Sequence, residues 1–159
     1  QFWPPFLFLS SMAFSRSKTY SIEAARQAIH RYCTFQERCQ SEVQERLRSM
    51  GIVPEAQAEL VSELISGDFL SEERFARAFT RGKFRIKGWG PRKITQGLQA
   101  KRVSSACIAL GMSELNEEEV RTYLSRQRGK HPDDQEWIAW CLRKGYDLAA
   151  AKAAMAGAD

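Results

Sequence analysis

One pattern occurs three times along the chain and limits what it can fold into. Val43 and Leu47 are followed by Gly51 and Ile52, Ile94 and Leu98 by Arg102 and Val103, and Trp137 and Cys141 by Gly145 and Tyr146. Apolar residues four apart share one face of a helix. The break four residues later ends that helix, so each unit reads as a helix, a sharp turn and a second helix. The units recur after 51 and 43 residues. A unit this small cannot bury its apolar face alone and must pack within a stacked array.

The rest of the chain agrees with this frame. From Ser21 onward apolar residues recur at spacings of three and four, with no run of strand-like alternation. Ile22, Ala25, Ile29 and Tyr32 predict a first helix over Ser21 to Cys33. Ser41 and Gln44 read as a capping box that opens a helix carrying Val43, Leu47 and Met50 and ending at Gly51. Pro54 suits a first helical turn, and Ala58, Val61, Leu64 and Ile65 continue that helix to Gly67. Ser71 caps the next one, which turns Phe75, Ala76 and Phe79 inward. Gly88 and Gly90 flank Trp89 in a tight turn, and Pro91 begins a helix with Ile94 and Leu98. Asn116 with Glu119 forms another capping box before Val120 and Leu124. Pro132 and Asp133 open a final pair, one helix through Trp137, Ile138, Cys141 and Leu142 and one from Tyr146 to Met155. The expectation is all-α: about nine short helices in tandem three-helix modules over 21–68, 69–115 and 116–159, forming an elongated, curved solenoid of right-handed type.

Residues 1–20 stand apart. QFWPPFLFLSSMAF is apolar but lacks a basic lead, is interrupted by Pro4 and Pro5, and is too short to span a bilayer. Met12 reads as a natural start, and the segment as a disordered or non-native extension. Cys33, Cys39, Cys107 and Cys141 have no CxxC spacing, and His30 and His131 are the two histidines that could join them on a metal. Reduced, mostly buried thiols in a cytoplasmic protein are expected, with no metal or cofactor. A nucleophile motif and a Walker-type loop are both missing, and the acidic clusters at Glu72–Glu73 and Glu117–Glu119 sit where they favour helix starts. An enzyme is not expected.

Charge is where the sequence points to function. Arg74, Arg77, Arg81, Lys83, Arg85, Lys87, Arg92, Lys93, Lys101 and Arg102 place ten positive charges in 29 residues that hold no Asp or Glu. The whole chain carries +5, so the remainder carries −5 and the molecule is polarised. A solvated helix face normally mixes both signs to gain pairs at i, i+4. This stretch forgoes such pairs within itself, which suggests neutralisation by an external anion, either a phosphate backbone or an acidic protein face. Phe75, Phe79, Phe84 and Trp89 interleave with the cations. The four-residue spacing of Phe75 and Phe79 marks them as core, whereas Trp89 between two glycines joins the ten cations as a candidate contact.

The run Gly67-Asp68-Phe69-Leu70-Ser71-Glu72-Glu73-Arg74-Phe75-Ala76, followed by Lys83-Phe84-Arg85-Ile86-Lys87-Gly88-Trp89-Gly90-Pro91-Arg92-Lys93-Ile94, resembles the pattern of the RecX family. Ser41-Glu42 leading to Leu47 and Met50-Gly51-Ile52 is similar to that family's early helix motif. The likeness extends over about Ile22 to Met155, and the central segment is its most specific part. Two departures are Glu72, where the family commonly has Asp, and Pro91, near which Arg or Lys is usual. The resemblance implies three tandem three-helix modules lying along a RecA–DNA filament and limiting strand exchange and coprotease function, without a cofactor and as a monomer. It places the protein in recombination, DNA repair and the SOS response. Two other classes fit parts of the pattern: a sequence-specific helix-turn-helix repressor reading bases through Gln96 and Gln99, and a scaffold that binds a helical peptide.

Overall fold

The computed structural model describes residues 20–156. The expectations for residues 1–19, Met12 included, lie outside the described residues. Among those described there is no strand, and nine α-helices follow one another. They are α1 (Ile22–Phe35), α2 (Gln40–Ser49), α3 (Pro54–Ser66), α4 (Glu72–Lys87), α5 (Pro91–Ala100), α6 (Ser105–Met112), α7 (Glu117–Arg128), α8 (Asp134–Lys144) and α9 (Leu148–Ala156). None is long and apolar enough to cross a membrane.

The helices pack as triplets, since every extensive helix–helix contact falls within α1–α3, α4–α6 or α7–α9. Three clusters of buried side chains correspond. Ala25, Ile29, Val43, Leu47, Leu60 and Leu64 belong to the first. Phe75, Ala76, Phe84, Ile94, Leu98 and Val103 form the second, joined by Cys39 from the preceding triplet. Leu124, Trp137, Cys141, Tyr146, Ala151 and Ala154 make up the third. Burial of these apolar faces, rather than intrinsic propensity, stabilises helices of only 8–16 residues.

The threefold pattern marks one turn built three times. Leu47, Leu98 and Cys141 are each fully buried, and their carbonyls accept the N–H of the residue five positions on, Ile52, Val103 and Tyr146, at 3.2, 3.2 and 3.0 Å. Gly51, Arg102 and Gly145 between them adopt φ of 75°, 59° and 92°, and each donates its N–H three residues back. This is the Schellman motif, in which a left-handed residue satisfies the carbonyls a helix end leaves orphaned.

Neighbouring triplets are joined through the residues just before the left-handed Arg102 and Gly145. The Lys101 carbonyl accepts the Ser41 hydroxyl at 2.7 Å and the Lys144 carbonyl accepts the N–H of Gly90 at 2.7 Å, while the matching Met50 carbonyl accepts the N–H of Tyr20 at 3.2 Å from just before α1 of its own triplet. The turn between the first two helices of one triplet therefore docks on the turn between the last two of the next.

Several local expectations need correction. Cys39 precedes α2 as its N-cap without a side-chain hydrogen bond; Ser41 is instead drawn into the joint with Lys101, so the capping box with Gln44 does not form. In α3 the buried face is Ala56, Leu60, Val61 and Leu64, while Ala58 and Ile65 are exposed. Ala58 lies midway between Ala56 and Leu60, and Ile65 one position past Leu64, so both point away from the buried stripe. α6 is absent from the spacing argument because Ser-Ala-Cys-Ile-Ala-Leu-Gly-Met is apolar nearly all round and has no stripe to read. It packs closely on α4, where a Cβ on Gly111 would lie 2.9 Å from the Ala76 backbone. The caps at Ser71, Asn116 and Asp133 form as expected, although Glu119 turns from its capping box to Arg85. All four thiols are free, with Cys33, Cys39 and Cys141 buried and Cys107 half-buried. Burial pushes the Cys141 thiol up to about 11.

Candidate nucleic-acid interface

The ten cations divide into two groups. Arg74 pairs with Glu37 at 3.0 Å and Asp68 at 2.6 Å. Arg77 pairs with Glu73 at 2.9 Å and Glu114 at 2.7 Å, and Arg81 reaches the other oxygen of Glu114 at 2.9 Å. Arg85 meets Glu119 at 3.3 Å, and Lys101 meets Glu42. The hydrogen bonds from Arg81 and then Arg77 hold the Glu114 carboxyl below the usual carboxylate range, and the hydrogen bonds that Arg74 donates to Asp68 and Glu37 raise its guanidinium. The expectation that only an external anion neutralises the segment is thus corrected for half of it. Its acids come from outside the 29 residues, brought in by the turn after α1, the N-terminus of α2, the turn after α3, the first turn of α4 itself, and the turn before α7 with that helix's first turn.

Lys83, Lys87, Arg92, Lys93 and Arg102 form no ion pair among the described residues. Arg102 sits in the turn after α5. The other four gather around the turn from α4 to α5, which the left-handed Gly88 (φ 62°) closes. Trp89 at its centre is half-buried, with the ammonium groups of Lys83 and Lys93 at 4.9 and 5.0 Å from its ring centroid. Phe75 and Phe84 are core and Phe79 packs against it, as their spacing suggests.

This turn rests on the third triplet. Gly90 and Arg92 donate their N–H groups to the carbonyls of Lys144 and Gly145 at 2.7 and 3.0 Å, and the Tyr146 hydroxyl reaches the Gly88 carbonyl at 3.3 Å. Two further cations arrive with it: Lys93 Nζ donates to the Arg143 carbonyl at 3.3 Å, and Lys144 Nζ to the Lys87 carbonyl at 3.0 Å. Arg143 and Lys144 escaped the reading of the sequence because they lie outside the acid-free run. The repeat could have found them, since Lys144 occupies the position of Lys101. The same docking covers the N-terminus of α5, the end that a helix-turn-helix protein presents to base edges, although Gln96 and Gln99 are exposed.

Fold and surface together define a class: a tandem array of three-helix modules carrying a cationic joint. Residues 71–112 match the family model described as "RecX, second three-helix domain". The regulatory protein RecX of Lactobacillus johnsonii is 34% identical over 88 residues, covering 55% of this chain and 32% of that protein. The regulatory protein RecX of Photobacterium profundum is 28% identical over 91 residues, covering 57% and 34%. The matched stretch thus spans about a third of the length of these relatives. The crystal structure of RecX from Lactobacillus salivarius superposes with a TM-score of 0.75 at 19% identity, covering 87% of this chain and 96% of that one. A second RecX crystal structure gives 0.74 at 16% identity, covering 85% and 73%. The second triplet is thus similar to the second three-helix domain of RecX proteins, and the described residues share the fold of RecX structures.

Proposed function

We propose that this protein is a regulator, not an enzyme, that binds RecA–DNA filaments and restrains their recombinase, ATPase and coprotease activities. It acts in the cytoplasm, as a monomer, within recombination, DNA repair and the SOS response. The observation that carries this reading is that the stretch matched by the family model, residues 71–112, is also the stretch that bears the basic surface. A polarised, acid-poor face attracts polyanions and speeds their encounter. The triplets supply a series of turns suited to lie along a repeating filament.

The test is co-sedimentation with RecA filaments assembled on single-stranded DNA, with ATP hydrolysis and strand exchange followed in parallel. Association with the filament and slowing of both activities at or below one protein per recombinase subunit is expected. Unchanged activity with saturating, folded protein would remove this reading. Tight binding to a single duplex sequence without RecA would replace it with the repressor.

A further inference from the structure

We infer that the joint between the second and third triplets is a seat for a nucleic-acid sugar-phosphate backbone, gripped without regard to base. This rests on the reading that the basic surface meets nucleic acid, and it assigns that contact to a different set of residues from the acid-free run as a whole. The set is Lys83, Lys87, Arg92 and Lys93 from one triplet with Arg143 and Lys144 from the next.

These six cations surround one turn-on-turn contact. Lys93 reaches back to the Arg143 carbonyl, Lys144 reaches forward to the Lys87 carbonyl, and the backbone of Arg92 is held by Gly145. No carboxylate forms an ion pair with any of them among the described residues. Glu37 and Glu42 line the neighbouring groove with Lys83 and Lys87, but they are engaged by Arg74 and Lys101. The equivalent joint between the first and second triplets is neutralised, with Glu42 standing where Lys93 stands here. Like charges gathered without counter-ions are favourable only when a polyanion meets them.

Composition decides what kind of polyanion. The arginines of α4, whose planar forks suit individual carboxylates, are already spent on Glu37, Glu114 and Glu119. Four of the six remaining cations are lysines, flexible point charges that follow a phosphate chain rather than read a single carboxylate. Trp89 does not offer a bare face for stacking, because Lys83 and Lys93 hang over its ring. Phosphates, not bases, are therefore the ligand.

The experiment measures affinity of the whole protein for a labelled oligothymidylate and for an abasic oligonucleotide of equal length, over a range of salt. Both should bind alike. The variant Lys87→Gln, Lys93→Gln, Arg143→Gln, Lys144→Gln should lose at least tenfold for both, with the slope of log affinity against log salt shallower by about 0.7 for each contact removed. A charge-matched control, Arg121→Gln, Arg126→Gln, Lys130→Gln, Lys152→Gln, should lose far less. If the larger variant does not fold, Lys87→Gln with Arg92→Gln repeats the test, since neither side chain bonds to the adjoining triplet. Unchanged affinity and slope, an equal loss in the control, failure of the parent to bind, or failure of the abasic strand alone would each overturn the seat. Filament co-sedimentation of the same variant separates the two readings. Lost oligonucleotide binding with retained filament association supports the seat, and the converse makes the joint a protein-docking surface and overturns it.

Discussion

Gly90 and Gly145 meet backbone to backbone across the joint: a Cβ on Gly90 would lie 2.6 Å from the Gly145 carbonyl carbon and from the Tyr146 nitrogen. On Gly145 it would lie 2.4 Å from the Lys93 Cβ. Gly90 itself has an ordinary φ of −81°, so proximity alone requires glycine there, whereas Gly145 with φ of 92° needs it for conformation as well.

Gly90→Ala is therefore expected to force the second and third triplets apart and to cost about 1–3 kcal/mol, as overpacking does. Urea unfolding of the variant beside Gly129→Ala checks this, because a Cβ on Gly129 would make only an ordinary contact, 3.7 Å from the Arg126 carbonyl oxygen. Equal stability of the two variants would mean that the joint yields.

Arg102 holds the left-handed position that glycine fills in the other two repeats. An L side chain pays roughly 1 kcal/mol there, and no ion pair compensates it among the described residues. Arg102→Gly should raise the unfolding midpoint, by about 1 kcal/mol of stability, while Gly51→Arg should lower it. Thermal melts of the two variants test the pair of signs.

Glu114 ties α4 to the turn after α6 through Arg77 and Arg81. Its carboxyl is held below the usual range in the folded protein, so the stability it contributes is present above the unfolded carboxylate range and is lost as pH falls through the folded value. Glu114→Gln should weaken the protein at pH 7 and flatten its loss of stability on acidification below about pH 4. Chemical unfolding at pH 7 and pH 3 reads both effects; an undiminished acid response would mean that other carboxylates dominate.

The architecture was legible because burial writes periodicity into a helix. Val43, Leu47, Ile94, Leu98, Trp137 and Cys141 are all fully buried, and the breaks after them are the left-handed turns. α6 was not legible, because a short helix apolar on most sides carries no stripe. The basic run was legible as charge but not as a surface. Arg77 and Glu114 lie 37 residues apart, and only packing brings them together. Arg143 and Lys144 were missed for the complementary reason, that a joint between modules draws on residues distant in sequence.

The two joints themselves rest on main-chain carbonyls at Lys101 and Lys144. A carbonyl is common to every amino acid, so mutation can change the side chain above it while the contact beneath persists. Heredity can thus rewrite each joint separately: one closed by an acid–base pair, another left crowded with lysine, both hung on the same peptide geometry. Chains of this design can diversify what they hold without redesigning how they stand.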